Sequence, residues 1–172
     1  MPMYLYLGDI TRMETDAIVN AAGTDLRRCP GICDAIFAAA DTEKLERACR
    51  KLGRCRIGQA VATPGCGLPC RYIIHVAGPG WYGGEPRERF LLAGCYQNAL
   101  HKAYRCSCRR VSVPLIFSGD CHMPRAASLR VAGAAIADFC QRHPSMEVTL
   151  VLYRQSIYDM AKRILGWEDA PS

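Results

Sequence analysis

The chain has 172 residues, half of them apolar, and carries 22 Lys and Arg against 16 Asp and Glu. This composition is typical of one packed globular domain over residues 1–172 and excludes a disordered chain. No run approaches the roughly 20 apolar residues of a bilayer-spanning helix, and the N-terminus lacks the basic and apolar segments of an export signal. We therefore expect a cytoplasmic protein with no membrane segment. We also expect a monomer, since no amphipathic stripe is left over once the core is filled.

Short apolar runs alternate with helical stretches along the chain. Runs rich in β-branched and aromatic residues predict strands at 3–7, 16–20, 59–63, 72–76, 111–116 and 148–153. Helices are predicted at 34–40, 42–52, 87–104, 124–142 and 155–165, with Thr42 as an N-cap and Pro124 in a first turn. This alternation predicts three layers around a largely parallel sheet. The tail, residues 168–172, is expected to fray.

The carboxyl ends of parallel strands are where such sheets bind ligands. Asp9 follows the first predicted strand and either caps a turn or accepts a hydrogen bond from a ligand. Gly31 and Ile32 immediately precede a helix, whose free N–H groups favour a phosphate. Arg27 and Arg28 in the same loop either pair with that phosphate or face solvent.

Several segments together resemble the macro domain, a module that binds ADP-ribose. They are the Asn20-Ala-Ala-Gly23 strand end, the loop that closes on Gly31, the stretch from Arg71 to Pro79, and Pro114 to Pro124. The resemblance covers residues 3–165 and is closest to a bacterial stand-alone branch related to O-acetyl-ADP-ribose deacetylases and mono-ADP-ribosyl hydrolases. It implies an α/β/α fold with a mixed, largely parallel sheet of about six strands.

The resemblance implies roles for individual residues. Asp9 would accept a hydrogen bond from the adenine amino group, Ile10 would contact adenine through its backbone, and Tyr153 would stack on the base unless it only caps the core. The first loop would hold the diphosphate through Asn20, Ala22, Gly31 and Ile32. The second loop would clamp it with Ser118, Gly119, Asp120, Cys121 and His122. Cys121 stands where relatives carry an aromatic residue, and His122 where they carry glycine. We expect His75 to be a buried core histidine whose ring nitrogens are hydrogen-bonded, and not a catalytic residue.

Two positions differ from the hydrolytic relatives, where an Asn and an Asp hold the distal ribose and help to place a water molecule. They are Gly23 and Cys33 here. Losing a positioned general base costs about 10²–10⁴ in rate, so weak or absent hydrolysis is expected. Asp34, Asp120 or His122 would be a relocated catalytic group. Cys33, at a helix N-terminus, would be a thiolate nucleophile, a redox switch or a tolerated small residue.

Two other functions stay open. The chain is either an active hydrolase that removes ADP-ribose from acidic side chains or deacetylates O-acetyl-ADP-ribose, or an RNA- or protein-binding module with a disused pocket. The net charge of +6 lies largely in residues 44–56 and 102–110, without the interleaved aromatics of a single-strand platform, so nucleic acid is a minor hypothesis. The 11 cysteines include no CxxC pair, and we expect reduced thiols, no metal site and no cofactor.

Overall fold

The computed structural model describes residues 2–78, 86–116 and 123–171. Its strands form one sheet in the order β3-β4-β2-β5-β6-β1-β7. Only β3 is antiparallel to its neighbour, and the other pairs are parallel. The mixed, largely parallel sheet is therefore confirmed, with seven strands rather than about six. They are β1 (Met3–Leu7), β2 (Ala17–Ala22), β3 (Ala60–Pro64), β4 (Tyr72–Ala77), β5 (Arg110–Pro114), β6 (Glu147–Leu152) and β7 (Glu168–Asp169).

Helices cover both faces of this sheet. One hydrophobic cluster joins the sheet to α3, α4 and α5, and a second joins the opposite face to α1 and α2. The predicted three-layer α/β/α architecture is thus confirmed. None of these described helices has the length and apolarity needed to cross a membrane. Their bounds are α1 (Ile32–Ala39), α2 (Thr42–Leu52), α3 (Pro86–Arg105), α4 (Arg125–Arg142) and α5 (Gln155–Leu165).

The two central strands bring polar side chains together on the α1/α2 face. Successive strand residues point to opposite faces, so Asn20 shares its face with Ile18, which packs in the α1/α2 cluster. In β4, His75 shares a face with Ile73 of the same cluster. The register pairs Asn20 with His75. A buried amide and a buried imidazole therefore meet under α1.

The tail differs from the expectation. Residues 168–169 pair in parallel with β1 instead of fraying, and Ala170 N donates to Leu5 O at 2.9 Å. Asp169 also accepts a hydrogen bond from the Tyr158 hydroxyl and lies 3.3 Å from Lys162 Nζ. Without this short strand, the backbone N–H and C=O groups on the outer edge of β1 would have no sheet partner.

Helix starts also differ by one or two residues. Asp41, not Thr42, is the N-cap of α2, because its carboxylate accepts from Lys44 N at 3.2 Å. Pro124 is the N-cap of α4 and precedes its first turn. The first helix begins at Ile32, two residues earlier than predicted, and its first turn therefore includes Cys33 and Asp34.

Gly65 opens the tight turn between β3 and β4. Its N–H donates to Arg71 O at 2.8 Å. A Cβ at this position would lie 2.0 Å from the backbone oxygen of Cys70, which no side-chain rotation can relieve. Glycine is therefore required by the close approach of two backbone segments.

We predict that Gly65→Ala destabilises the protein by about 1–3 kcal/mol, since the added methyl must displace backbone. Gly94→Ala in α3 is the matched control, because a Cβ there meets no atom within 4 Å. The control should be neutral or stabilising by up to about 1 kcal/mol, as expected for glycine in a helix. Urea unfolding of both variants measures the difference, and equal stabilities would contradict the steric explanation.

Candidate functional site

The carboxyl ends of β1 and β6 lie side by side. Leu7 is paired with Leu152, and Gly8 N donates to Leu152 O at 2.9 Å. The next residues, Asp9 and Tyr153, therefore leave the sheet next to each other. Both are exposed, and Tyr153 is 79% accessible, so its ring does not cap the core. One carboxylate and one open aromatic face are available at this edge.

Asp9 fills the capping role and keeps a free oxygen. Its Oδ1 accepts from Thr11 N at 2.9 Å and from Thr11 Oγ1 at 2.7 Å, which caps the short 3-10 turn Ile10–Arg12. No described residue bonds to Oδ2. Ile10 is 3% exposed and anchors the turn in the α1/α2 cluster. The carboxylate is thus fixed by one oxygen and can accept from a ligand with the other.

A cleft of about 510 Å³ opens at the loop between β2 and α1, and it is lined by Arg28, Cys29, Pro30, Gly31 and Asp34. This volume lies within the range of small-molecule sites. Gly31 is the N-cap of α1 and has a φ of +87°, a conformation that favours glycine. The first intrahelical bond runs from Ala35 N to Gly31 O, so the preceding amides of the turn have no carbonyl partner in the helix.

Arg28 and Asp34 form an ion pair across this cleft, with Arg28 Nε 2.6 Å from Asp34 Oδ1. Both side chains are partly exposed, so the pair contributes little to stability. Arg27 does not line the cleft, and its backbone N–H donates to Asp25 at 3.1 Å. Of the two arginines in the loop, Arg28 is the one positioned to meet an anion.

Cys33 points inward while Asp34 points outward, as the turn of about 100° per helical residue requires. Cys33 is 1% exposed, and its Sγ lies 3.4 Å from Cys29 N and 3.7 Å from Asn20 Nδ2. Burial is the main cause that raises the pKa of Cys29 to about 12, and the neighbouring Cys33 thiol adds to the effect. Cys29 therefore stays protonated at neutral pH. The Cys33 thiol also donates to Arg27 O at 3.8 Å, so two N–H donors and one carbonyl oxygen surround its Sγ.

Asn20 and His75 form the buried support of this loop. Asn20 is fully buried, and its Nδ2 donates to His75 Nδ1 at 3.0 Å, while His75 Nε2 lies 2.9 Å from Thr63 Oγ1. Burial lowers the pKa of His75 to about 4, so the ring is neutral at pH 7. The predicted core role of His75 is confirmed. The Asn20 side chain lies below the ligand-facing surface, with its Oδ1 unpartnered within the described residues.

Gly23 follows β2 and has room for a side chain. A Cβ there would lie 3.3 Å from Asp25 Oδ1, the mobile end of an exposed side chain, and the backbone is not in the left-handed region. Ala22, the last residue of β2, is buried, and Ile32 is half-buried at the start of α1. Glycine at position 23 is thus not imposed by the fold.

Five candidates of the second loop, Ser118, Gly119, Asp120, Cys121 and His122, lie outside the described residues. The described part of the chain contains no group of three or more His, Cys, Asp or Glu side chains that could hold a metal ion. Its ten cysteines are free thiols, and seven are buried, as predicted. Burial raises the pKa of Cys49, Cys108 and Cys140 to about 11, so these thiols are unreactive near neutral pH.

Comparison with known proteins identifies the family. The macro domain family model matches residues 19–132. The chain belongs to the macro domain family. A macro domain-containing protein of Mesorhizobium japonicum is 42% identical over 133 residues, which cover 77% of this chain and 75% of that protein. An O-acetyl-ADP-ribose deacetylase of Escherichia fergusonii is 37% identical over 168 residues, 95% of this chain and 94% of that protein.

Solved macro domains superimpose closely on this one. An Oceanobacillus iheyensis macrodomain mutant with ADPR matches with a TM-score of 0.88 and 32% identity, over 94% of this chain and 90% of that chain. The resemblance inferred from the sequence is thereby confirmed. The Arg28–Asp34 pair was not predicted, because nothing in a loop sequence indicates which of two adjacent arginines faces the cleft. The burial of Asn20 could have been inferred from its place inside a central parallel strand, because helices cover both faces of such strands.

We predict that His75 makes folding stability depend on pH. Its pKa is depressed in the folded protein, so its contribution is complete above about pH 6.5 and is lost as the pH falls toward 4, by about 3 kcal/mol in all. In urea unfolding at pH 7 and about pH 4.5, His75→Gln should lose less stability on acidification than the native chain. His101→Gln, at an exposed position, should behave like the native chain. An unchanged pH dependence in His75→Gln would show that His75 is not buried neutral.

Proposed function

We propose that this macro domain binds ADP-ribose, or a protein or metabolite that carries it, and hydrolyses it weakly or not at all. The observation that carries the proposal is the pair of exposed groups, Asp9 and Tyr153, at the same edge of the sheet as the cleft before α1. The same fold in the Oceanobacillus iheyensis macrodomain mutant was solved with ADPR. Residues 1–172 would act as one domain, since β1 and β7 are neighbours in one sheet. The domain would act as a monomer.

Adenine would lie between Asp9 and Tyr153. The free carboxylate oxygen of Asp9 would accept from the exocyclic amino group, and a hydrogen bond to a charged acceptor is the stronger kind. Tyr153 would stack on the base, which contributes about 1–3 kcal/mol. The backbone of Ile10 is held by the 3-10 turn and would contact the ring edge.

The diphosphate would lie against the first turn of α1. The unpartnered amides after Gly31 and the positive end of the helix favour an anion there. Arg28 would exchange its contact with Asp34 for a phosphate oxygen, and Arg pairs with phosphate through two parallel hydrogen bonds. Ser118 and Gly119 of the second loop would complete the clamp.

The loss of two side chains accounts for weak hydrolysis. Gly23 has no side chain to hold the distal ribose, and Cys33 presents a thiol where hydrolytic relatives carry a carboxylate. Asp34 is on the outer face of α1 and pairs with Arg28, so it does not replace Cys33 inside the loop. Binding relies mainly on backbone groups and on the adenine end, which do not depend on either position.

The alternative is an active hydrolase or deacetylase with a relocated group, drawn from Asp34, Asp120 or His122. It is favoured by the similarity to the Escherichia fergusonii O-acetyl-ADP-ribose deacetylase along 95% of the chain. In that case Asp34→Asn, Asp120→Asn or His122→Gln abolishes a measurable turnover. If hydrolysis is weak or absent, as we propose, none of these three substitutions changes a measured turnover rate.

The adenine end is tested by calorimetry of ADP-ribose binding with Asp9→Asn and Tyr153→Leu. Asn keeps the capping oxygen but removes the charge, so we expect binding to weaken by about 10-fold or more, the value of a charge-assisted hydrogen bond. Tyr153→Leu should weaken it by about 5- to 150-fold through lost stacking. Asp159→Asn, an exposed residue of α5, is the control for net charge. Unchanged affinity in both site variants would contradict the proposal.

The diphosphate end is tested with Arg28→Gln, Asp34→Asn and Arg27→Gln. Arg28→Gln should weaken ADP-ribose binding by about 10-fold and leave adenosine binding unchanged, because only the phosphate contact is lost. Asp34→Asn should tighten binding several-fold, since it releases Arg28 and removes a like charge near the phosphates. Arg27→Gln, at the neighbouring position, should change little. Equal losses for Arg27→Gln and Arg28→Gln would indicate general electrostatic attraction instead of a specific contact.

A further inference from the structure

A second cavity lies between the start of β3 and the C-terminal half of α3. Its volume is about 240 Å³, and it is lined by Gln59, Ala60, Asn98, His101, Lys102 and Arg105. The α3 members are spaced by three or four residues, so they form one ridge along the helix. The opposite face of α3 packs in the core through Cys95, Tyr96 and Ala99. The ridge is therefore not needed to cover the sheet.

The two segments that form this cavity are rich in basic residues and poor in acidic ones. One carboxylate contacts α3 from α4, since Asp138 accepts from Gln97 and pairs with Arg142. Residues 47–84 and 89–119 contain no Asp or Glu. The two stretches meet here, because Asn98 Nδ2 donates to Gly58 O. Within the described residues, neither Lys102 nor Arg105 forms an ion pair. Cations in the last turn of α3 are expected from the helix dipole, and these two also line the cavity.

The lining provides hydrogen-bond donors and no carboxylate. Five of its six side chains carry N–H groups, and only Ala60 is apolar. Arg, Lys, Asn and Gln are the side chains that contact phosphate in nucleic-acid complexes. A volume of about 240 Å³ is below the usual range for whole small-molecule ligands. The cavity therefore suits one phosphate group of a longer ligand.

An acidic peptide fits this surface less well. Peptides that add to a sheet edge need a run of free backbone groups, but β3 has five residues and ends at Pro64, which has no N–H. The cavity also lacks the aromatic or aliphatic pocket that anchors a peptide side chain. A phosphodiester chain needs neither of these features.

The cavity is close to the ADP-ribose cleft and separate from it. Ala60 pairs with Val76, and Gly58 N donates to Ala77 O, so the cavity lies near the carboxyl end of β4. The cleft follows β2, the strand next to β4. The lining residues of the cavity and of the cleft do not overlap, so the two are separate sites.

We propose that this cavity binds the phosphate backbone of a nucleic acid, as a second anion site that does not require the ADP-ribose cleft. Lys102 and Arg105 supply the charge, and Gln59 and His101 supply further donors. Since no aromatic side chain lines the cavity, base stacking contributes nothing here. The contact is to phosphate alone, so binding should depend strongly on salt through counterion release.

The test is fluorescence anisotropy with an oligouridine and an oligothymidine of about 12 nucleotides, between about 50 and 200 mM salt. In Lys102→Gln/Arg105→Gln, affinity should fall about tenfold or more, and the slope of log affinity against log salt should shrink by about 1.4. The matched control is Arg130→Gln/Arg163→Gln, which removes the same charge from exposed positions of α4 and α5 and should retain most of the affinity. The two oligonucleotides distinguish RNA from DNA as the source of the phosphates.

Equal losses in the two double variants, or no binding at the lowest salt, would overturn the proposal. So would competition by polyglutamate as effective as that by unlabelled RNA, since it would indicate an acidic protein partner. Calorimetry with ADP-ribose separates this proposal from the preceding one. Lys102→Gln/Arg105→Gln should bind ADP-ribose like the native chain, and Asp9→Asn should bind the oligonucleotides like the native chain.

Discussion

The hydrogen bond from Asn20 to His75 is the constraint on which the binding loop depends. It joins β2 to β4 in the buried layer under α1, and the second N–H of Asn20 points to Cys33 in the first turn of that helix. Three separate parts of the chain are thereby fixed at one point. An unpaired buried amide or imidazole costs free energy, so each partner holds the others in place. The loop between β2 and α1 is consequently rigid at its base and open at its tip.

The groups proposed to bind the ligand differ from those proposed to limit hydrolysis. The proposed binding groups are backbone amides, the N-cap glycine, and Asp9 and Tyr153 at the ends of β1 and β6. None of these groups depends on the side chains at positions 23 and 33. The proposed loss of hydrolysis rests on the second set alone, the side chains at positions 23 and 33. Under this proposal the chain keeps its ligand and turns it over slowly. Cys33 points inward, with two N–H donors near its Sγ, and the proposal assigns this position to the carboxylate of hydrolytic relatives.

Much of the fold and the position of the cleft could be predicted from the sequence, because strand and helix periodicities are local. The alternation of elements fixed the layers, and the strand ends located the cleft. The pairing of residues 168–169 was missed because it depends on the open edge of β1, which is distant in sequence. The start of α1 was placed too late because Ile32 and Cys33 carry no capping signal. The Arg28–Asp34 contact depends on side-chain directions in a loop, which no periodicity specifies.

The most direct test is the release of ADP-ribose from a protein modified on acidic side chains, comparing the native chain with Gly23→Asn/Cys33→Asp. The native chain should bind ADP-ribose and release little, and the double variant should release it about 10²–10⁴ times faster, because it regains a ribose contact and a positioned carboxylate. Retained ADP-ribose binding verifies that the variant is folded. Fast release by the native chain, with no gain in a folded double variant, would contradict the view that these two positions limit catalysis.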